Sequence, residues 1–275
     1  MIVSKNIGIA LFAYNRPSHL RRVLIALEDY KIDKIHIFID GPKNNKDVTC
    51  QNEIMFMIKT NKKIKFKTYK SNKNKGLSKS LEDGMKIMSN KFSSFIILED
   101  DCIPRKQFFD FIIKSLKTYE NNMRIQAICG YQLPELHSQK SKTLKSIGLK
   151  NFMSWGWATW SKKYKIYLKK RSKVKKVNSP IIKKIKKMKT NKRNIWTLNF
   201  IKYSISNDNF FIFPNKSQVK NIGFDGSGVN SSYTFKFNTF YTLSNNYKID
   251  KDIKIDLRKS KVQTQVMLKR INLFY

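Results

Sequence analysis

The chain has 275 residues, 41% of them hydrophobic and 13% aromatic, and carries a formal net charge of +37 from 56 Lys and Arg against 19 Asp and Glu. That composition excludes a disordered chain, and no run of about 18 apolar residues exists to span a bilayer. So basic a surface attracts polyanions, whether nucleic acid, anionic lipid or phosphate-bearing substrates. Abundant Lys, Asn and Ile also fit a bias in genome base composition, which weakens charge as a functional signal.

The opening "MIVSKNIGIALFAYNRP" has a short apolar run, no basic leader and no small-residue cleavage motif. It is expected to form the first strand of a protein kept in the cytoplasm. Cys50, Cys102 and Cys129 are odd in number and far apart, which suits free thiols in a reducing compartment. Strand and helix patterns then alternate. The sequence predicts strands over 6–14, 34–40, 63–70, 94–100 and 125–131, and helices over 17–30, 46–60, 77–90 and 106–120. This order predicts a mostly parallel sheet with helices on both faces, whose ligands bind beyond the carboxyl ends of the strands. Past residue 132 the regularity fades. "SWGWATW" (154–160) is an aromatic knot, and 161–195 is a Lys-rich stretch expected to be helical and solvated. A strand, a Pro stop and a Gly-rich turn follow over 210–228, and 262–275 reads as an amphipathic helix. From Leu136 through Asn207 there are 21 Lys or Arg and no acid.

In "SFIILEDDCIP" (94–104) three carboxylates, Glu99, Asp100 and Asp101, close an apolar strand. Carboxylates at that edge are hard oxygen donors, and one or two of them with substrate phosphates make a typical Mg²⁺ or Mn²⁺ site. The competing role is to cap the following helix. Other strand ends meet the same edge: "FAYNRP" with Tyr14, Asn15 and Arg16, "FIDGP" with Asp40, and "SNKNKG" with Asn74, Lys75 and Gly76. These are residue types that hydrogen-bond a base, a ribose and phosphates. Either "DGP" or "NKG" alone is ordinary turn chemistry; their placement after successive strands is what carries weight.

These motifs, in order over about residues 6–230, resemble GT-A-fold, nucleotide-sugar-dependent glycosyltransferases. The closest resemblance is to the bacterial family-2-like group related to the N-glycan β-1,2-N-acetylglucosaminyltransferase. "ALFAYNRPSHLRRVLIAL", "FIDGPK", "NKGLSKSLEDGM", "FIILEDDCIPRKQFFDF", "SWGWATW" and "NIGFDGSG" carry it. The resemblance implies a Rossmann-like GT-A sheet with a C-terminal acceptor-side extension. Its donor half would be 1–132, its acceptor half 133–240, and a basic tail 241–275. It further implies an inverting, metal-dependent hexosyl- or N-acetylhexosaminyltransferase that takes a UDP-linked sugar to a cell-surface glycan or lipid-linked saccharide. Tyr14, Asn15, Arg16, Asp40, Asn74, Gly76, Glu99 and Asp100 would then face the donor, and Asp101 would bind Mn²⁺ or Mg²⁺. Trp155 and Trp157 are expected in the acceptor wall, with core burial as the alternative. The family's base, an Asp after a Trp, falls on Thr197 after Trp196, so Asp225 of "GFDGSG" stands as its substitute, with a plain turn Asp as the alternative. The basic region 140–195 would hold the protein to the inner face of an anionic membrane. An inactive sugar-nucleotide binder and a basic nucleic-acid-binding protein are the other readings; no helix-turn-helix, zinc-finger or aromatic RNA-binding signature supports the latter.

Overall fold

The computed structural model describes residues 5–137, 143–174, 177–187, 196–227, 233–239 and 246–270. β1 (Ile7–Ala13) is apolar without interruption and buried from Gly8 onward, as a strand covered on both faces must be. α1 (Pro17–Glu28) starts on Pro17, whose fixed φ suits the first helical position, and turns His19, Leu20, Val23, Leu24 and Leu27 inward. β2 (Ile35–Ile39), α2 (Asn45–Thr60), β3 (Phe66–Lys70), α3 (Leu77–Lys91) and β4 (Ser94–Glu99) repeat the alternation. The four strands pair in parallel in the order β4-β1-β2-β3. Their register sets Ala13 beside Ile39 and Phe12 beside Glu99. Asn15, Asp40 and Asp100 therefore leave the sheet at one edge.

The second half is less regular. β5 (Cys102–Pro104), α4 (Phe108–Thr118) and β6 (Ile125–Cys129) lead into β7 (Thr143–Leu149), β8 (Trp157–Trp160) and α5 (Ser161–Lys170). α6 (Pro180–Lys187), α7 (Trp196–Ser206), β9 (Phe210–Pro214), β10 (Val219–Asn221), β11 (Asn246–Lys248) and α8 (Leu257–Arg270) complete the described elements. The main sheet runs β11-β7-β9-β6-β8-β4-β1-β2-β3, while β5 and β10 form a separate antiparallel ribbon. Five of the eight pairings in the main sheet are parallel, so the expected Rossmann-like, mostly parallel sheet flanked by helices is present. One sheet takes strands from 1–132, from 133–240 and from the start of the basic tail.

The departures have physical reasons. The aromatic knot is a strand: β8 inserts antiparallel between β4 and β6, with Ala158 opposite both Ile96 and Ile128. The stretch expected to be helical and solvated is helical in α5 and α6 among its described residues, but α5 is not fully solvated: it buries Lys163, Tyr164 and Tyr167. Lys163 is satisfied there: its ammonium donates to the carbonyls of Tyr119, Asn122 and Ile125 at 2.8–3.1 Å and lies 3.4 Å from the centre of the Trp160 ring. Residues 175–176 and 188–195 of that stretch lie outside the described residues. The C-terminal helix begins at Leu257, earlier than its periodicity suggests, and 271–275 lie outside the described residues.

Candidate functional site

Arg16 ends the β1–α1 turn and is the N-cap residue of α1. Its guanidinium pairs with both Asp100 and Asp101, reaching Asp101 Oδ2 at 2.8 Å. The cation sits between the two carboxylates that follow β4, which explains how they coexist. Asp100 is 3% exposed and also takes the Tyr14 amide, at 3.4 Å. Burial pushes its carboxyl up despite Arg16. Burial, then the charges of Asp101 and Asp100, pushes the Glu99 carboxyl up as well. Asp101 keeps 14% of its side chain exposed. Two carboxylates share one guanidinium with Glu99 beside them, so the cluster is acidic in a chain that is otherwise strongly positive.

The β5–β10 ribbon lays a second loop over this cluster. Cys102 pairs with Asn221, and the Ile222 amide donates to the Asp101 carbonyl at 2.9 Å. The next residue, Gly223, lies so close that a Cβ there would overlap the Asp101 carboxylate and crowd Arg16. No other residue fits without moving the acid. Two positions on, Asp225 Oδ2 stands 3.0 Å from His19 Nε2, an ion-pair distance outside hydrogen-bonding geometry. Asp225 is 45% exposed and His19 is 9% exposed by side chain. Partial burial opposes it, but the Ser227 hydroxyl and amide and the His19 ring hold the Asp225 carboxyl below its ordinary value. The Ser227 contacts, at 2.6 and 3.0 Å, give it the role of a turn Asp, the alternative the sequence offered. α1 thus serves both loops from one turn, with Arg16 toward the acids and His19 toward Asp225.

The donor-side residues divide differently. Asp40 is buried, and its carboxylate accepts from the amides of Gly41, Lys75 and Gly76 at 2.8–2.9 Å. Asn74 donates to the Gly41 carbonyl at 2.8 Å, and a Cβ on Gly41 would overlap the Lys73–Asn74 backbone. Asp40, Asn74 and Gly76 therefore clamp the β2 and β3 loops together. Gly76 takes a φ of +77° as the N-cap of α3, a left-handed conformation that glycine accepts without strain. Tyr14 and Asn15 both donate to Asp47, at 2.5 and 2.7 Å. Asp47 sits in the first turn of α2 and is 4% exposed. It went unnoticed in the sequence, where the cap pattern "NNKD" is its one signal.

The aromatic residues correct one expectation. Trp157 is fully buried, stacked on Trp196 at 5.5 Å and edge-on to Phe152, so it has no face to offer an acceptor. Trp155 is half-buried in a cluster with Tyr131, Phe224 and Phe237. It supports the Asp225 loop from beneath through Phe224. Thr197 is buried at the start of α7.

A divalent ion fits the charge of the cluster, and Asp101 with Glu99 supplies hard oxygen donors. Among the described residues, however, no three His, Cys, Asp or Glu side chains form a ready-made cage. An ion there would need ligands from a bound substrate. Two clefts lie elsewhere: one of about 470 Å³ bounded by Pro180, Lys183, Lys184, Lys187 and Leu268, and one of about 370 Å³ beside Lys145, Asn215 and Asp256. Neither is lined by Glu99, Asp100 or Asp101.

No family model and no curated protein matches the chain. Among solved structures it is similar to a mannosyltransferase from Pyrobaculum calidifontis in complex with GDP-mannose and Mn²⁺, at 11% identity over 56% of this chain and 44% of that one, with a TM-score of 0.41. It is also similar to glucosyl-3-phosphoglycerate synthase from Mycobacterium tuberculosis in complex with Mn²⁺, UDP and phosphoglyceric acid. That match is 12% identical over 58% of this chain and 57% of that one, with a TM-score of 0.35. A glucose-1-phosphate thymidylyltransferase assigned as such in Bacillus anthracis matches at 12% identity over 62% and 76%, with a TM-score of 0.36. The chain thus spans about half the length of the two sugar transferases.

Proposed function

We propose that the chain is a glycosyltransferase that moves a sugar from a nucleoside-diphosphate sugar, UDP-linked by its resemblance, to a saccharide acceptor. One observation carries the proposal: the half-buried Asp101 carboxylate and the Asp225 carboxylate are borne by two loops laced together through the β5–β10 ribbon. One acid sits on the leaving-group side and one on the acceptor side. Asp101, with Glu99 beside it, would hold Mn²⁺ or Mg²⁺ against the donor diphosphate, where the ion supplies charge neutralisation to the departing phosphate. Arg16, fixed by Asp100, adds a positive charge on the same side. The Asp47-bound Tyr14 and Asn15 and the Asp40-bound loop of Asn74 and Gly76 form the nucleoside side.

Asp225 is ionised at neutral pH because its carboxyl lies below the ordinary range. It accepts the proton of the acceptor hydroxyl as that oxygen bonds to the anomeric carbon. The bond from that carbon to the diphosphate breaks on the opposite face, its electron pair leaves with the nucleoside diphosphate, and the anomeric configuration inverts. Thr197 favours a second reading, a sugar-nucleotide binder without transfer, because the family's base position is here a buried Thr. A nucleotidyltransferase is less supported, since "FAYNRP" lacks a Gly-rich phosphate loop. The lysines of the basic region 140–195, which holds no Asp or Glu, would meet an anionic membrane at the cytoplasmic face. Among the described residues no helix is long and apolar enough to cross a membrane.

The test is a panel of nucleotide sugars with Mn²⁺, with Mg²⁺ and with chelator. A donor at about 100 times its Kd stabilises the fold by about 2.7 kcal/mol, a rise of several degrees in Tm. Asp101→Ala is expected to remove the metal-dependent rise while the variant still unfolds cooperatively. If no donor raises Tm with either metal, the proposal fails; a rise without product selects the binder.

A further inference from the structure

Residues 233–239 cross the face of the molecule beside the Asp225 loop, and the backbone is held at several points. The Thr234 amide donates to the Phe224 carbonyl at 3.0 Å, and the Tyr131 hydroxyl donates to the Phe237 carbonyl at 2.8 Å. Arg270 donates to the Lys236 carbonyl at 2.7 Å, and Arg105 to the Thr239 hydroxyl at 2.8 Å. Phe237 is buried between Trp155 and Phe224. On this tethered segment two large rings nonetheless face outward: Tyr233 is 64% exposed and Phe235 67%. They pack on each other edge to face, with centres 5.1 Å apart. Among the described residues no other two exposed large apolar side chains share a ring contact.

Their position relates them to the chemistry. Gly226, the neighbour of Asp225, lies against Tyr233, whose Cβ is 3.9 Å from where a Gly226 Cβ would stand. Gly226 has a φ of +85°, a left-handed turn that glycine accepts without strain. An edge-to-face aromatic pair offers two apolar walls at a wide angle, and the Tyr233 hydroxyl adds a donor and acceptor at the rim. A pyranose has the complementary surface, with C–H groups on its faces and hydroxyls around its edge. Charge does not single out an anionic lipid headgroup here: exposed Lys236 lies beside Phe235, Asp225 precedes the Gly226 against which Tyr233 packs, and the acid-free lysines of α5 and α6 lie in other elements.

The geometry points to the Tyr233–Phe235 pair, packed against the Gly226 that follows the carboxylate which would take the proton, as the binding subsite for the saccharide acceptor. The subsite rests on the transferase proposal for its role, and it relocates the expected acceptor wall. Trp155 is the foundation of the platform, and the stacking faces belong to residues with no motif.

The experiment is saturation-transfer NMR on the full chain with methyl glycosides and disaccharides ending in glucose, galactose, mannose or N-acetylglucosamine. At least one sugar is expected to bind through its ring protons. Tyr233→Ala and Phe235→Ala should each weaken it roughly tenfold, the size of an aromatic contact, and Phe235→Trp should retain it. Donor-induced stabilisation is measured in parallel and should be the same in the Ala variants and the wild type. If no sugar binds the wild type, or if the double Ala variant binds as tightly, the subsite is overturned. Ring-dependent self-association or vesicle binding in place of sugar binding would overturn it as well. If sugars bind through the rings but no donor binds, the subsite stands and the transferase proposal falls.

Discussion

The β2 edge and the β4 edge of this sheet both end in carboxylates, yet they do different work. At β2, Asp40 is buried and satisfied by three backbone amides of its own chain, so it holds two loops in place. At β4, Asp100 and Asp101 share one guanidinium beside Glu99, and Asp101 keeps part of its side chain exposed. An acid after a parallel strand is therefore not a site by position. What separates the two edges is how far the protein's own donors meet each acid's demand for partners. Where the demand is met, the acid is architecture; where it is not, the edge has capacity left for a ligand.

The largest expected effect breaks the β2 side. Asp40→Ala leaves three amides without their acceptor in a buried turn. Each such loss costs about 1–3 kcal/mol, so a destabilisation of about 3–5 kcal/mol is expected, read as a lowered denaturant midpoint. Donor affinity, measured well below the new Tm, should fall far less than in Asp101→Ala. If Asp40→Ala unfolds like the wild type, Asp40 is not the clamp, and the contrast between the edges disappears.

The second effect probes the β4 side through pH. In the metal-free chain the Glu99 carboxyl is raised from 4.5 to about 8 and that of Asp100 from 3.8 to about 6, chiefly by burial. Through that interval the folded state binds more protons than the unfolded one, so this part of the stability falls as pH rises from about 4 to 8. Glu99→Gln removes most of that dependence. In chelator its stability should decline less steeply than the wild type's over the same range, by on the order of 1–2 kcal/mol in total. Parallel curves would mean that Glu99 is solvated and ionised throughout, and the unmet demand at β4 would be smaller than the structure implies.

Much of this layout was legible in the sequence, and the limits are instructive. Unbroken apolar runs such as "FIIL" and amphipathic spacing located the first four strands and their helices to within a few residues, because both faces of that sheet are covered and the pattern has little freedom. The same logic failed at "SWGWATW". A strand inserted antiparallel between two others is defined by partners distant in sequence, and aromatic content reads equally well as core or as ligand wall. Arg16, Asp100 and Asp101 were visible as polar residues at strand ends, but their mutual pairing was not. His19 carried no signal in the sequence, because its partner is distant: the β5–β10 ribbon brings position 225 back to position 19.

His19 gives the smallest and most discriminating prediction. Its ring is almost wholly buried, it sits one helical turn from Arg16, and its Nε2 faces the Asp225 carboxylate at 3.0 Å. It would not touch the acceptor; together with Ser227, which donates to the other oxygen, it would fix the orientation of the Asp225 carboxylate and so act as a positioning residue. His19→Phe keeps the volume of the ring and removes the nitrogen that faces the acid. The expected result is about a tenfold loss in kcat, equivalent to about 1.4 kcal/mol, with little change in donor or acceptor KM. His19→Gln, which keeps a polar end, should recover part of it. Equal loss in both variants, tracking a lowered Tm, would show that His19 serves α1 packing alone, and the Asp225 loop would then owe its placement to Gly223 and the ribbon.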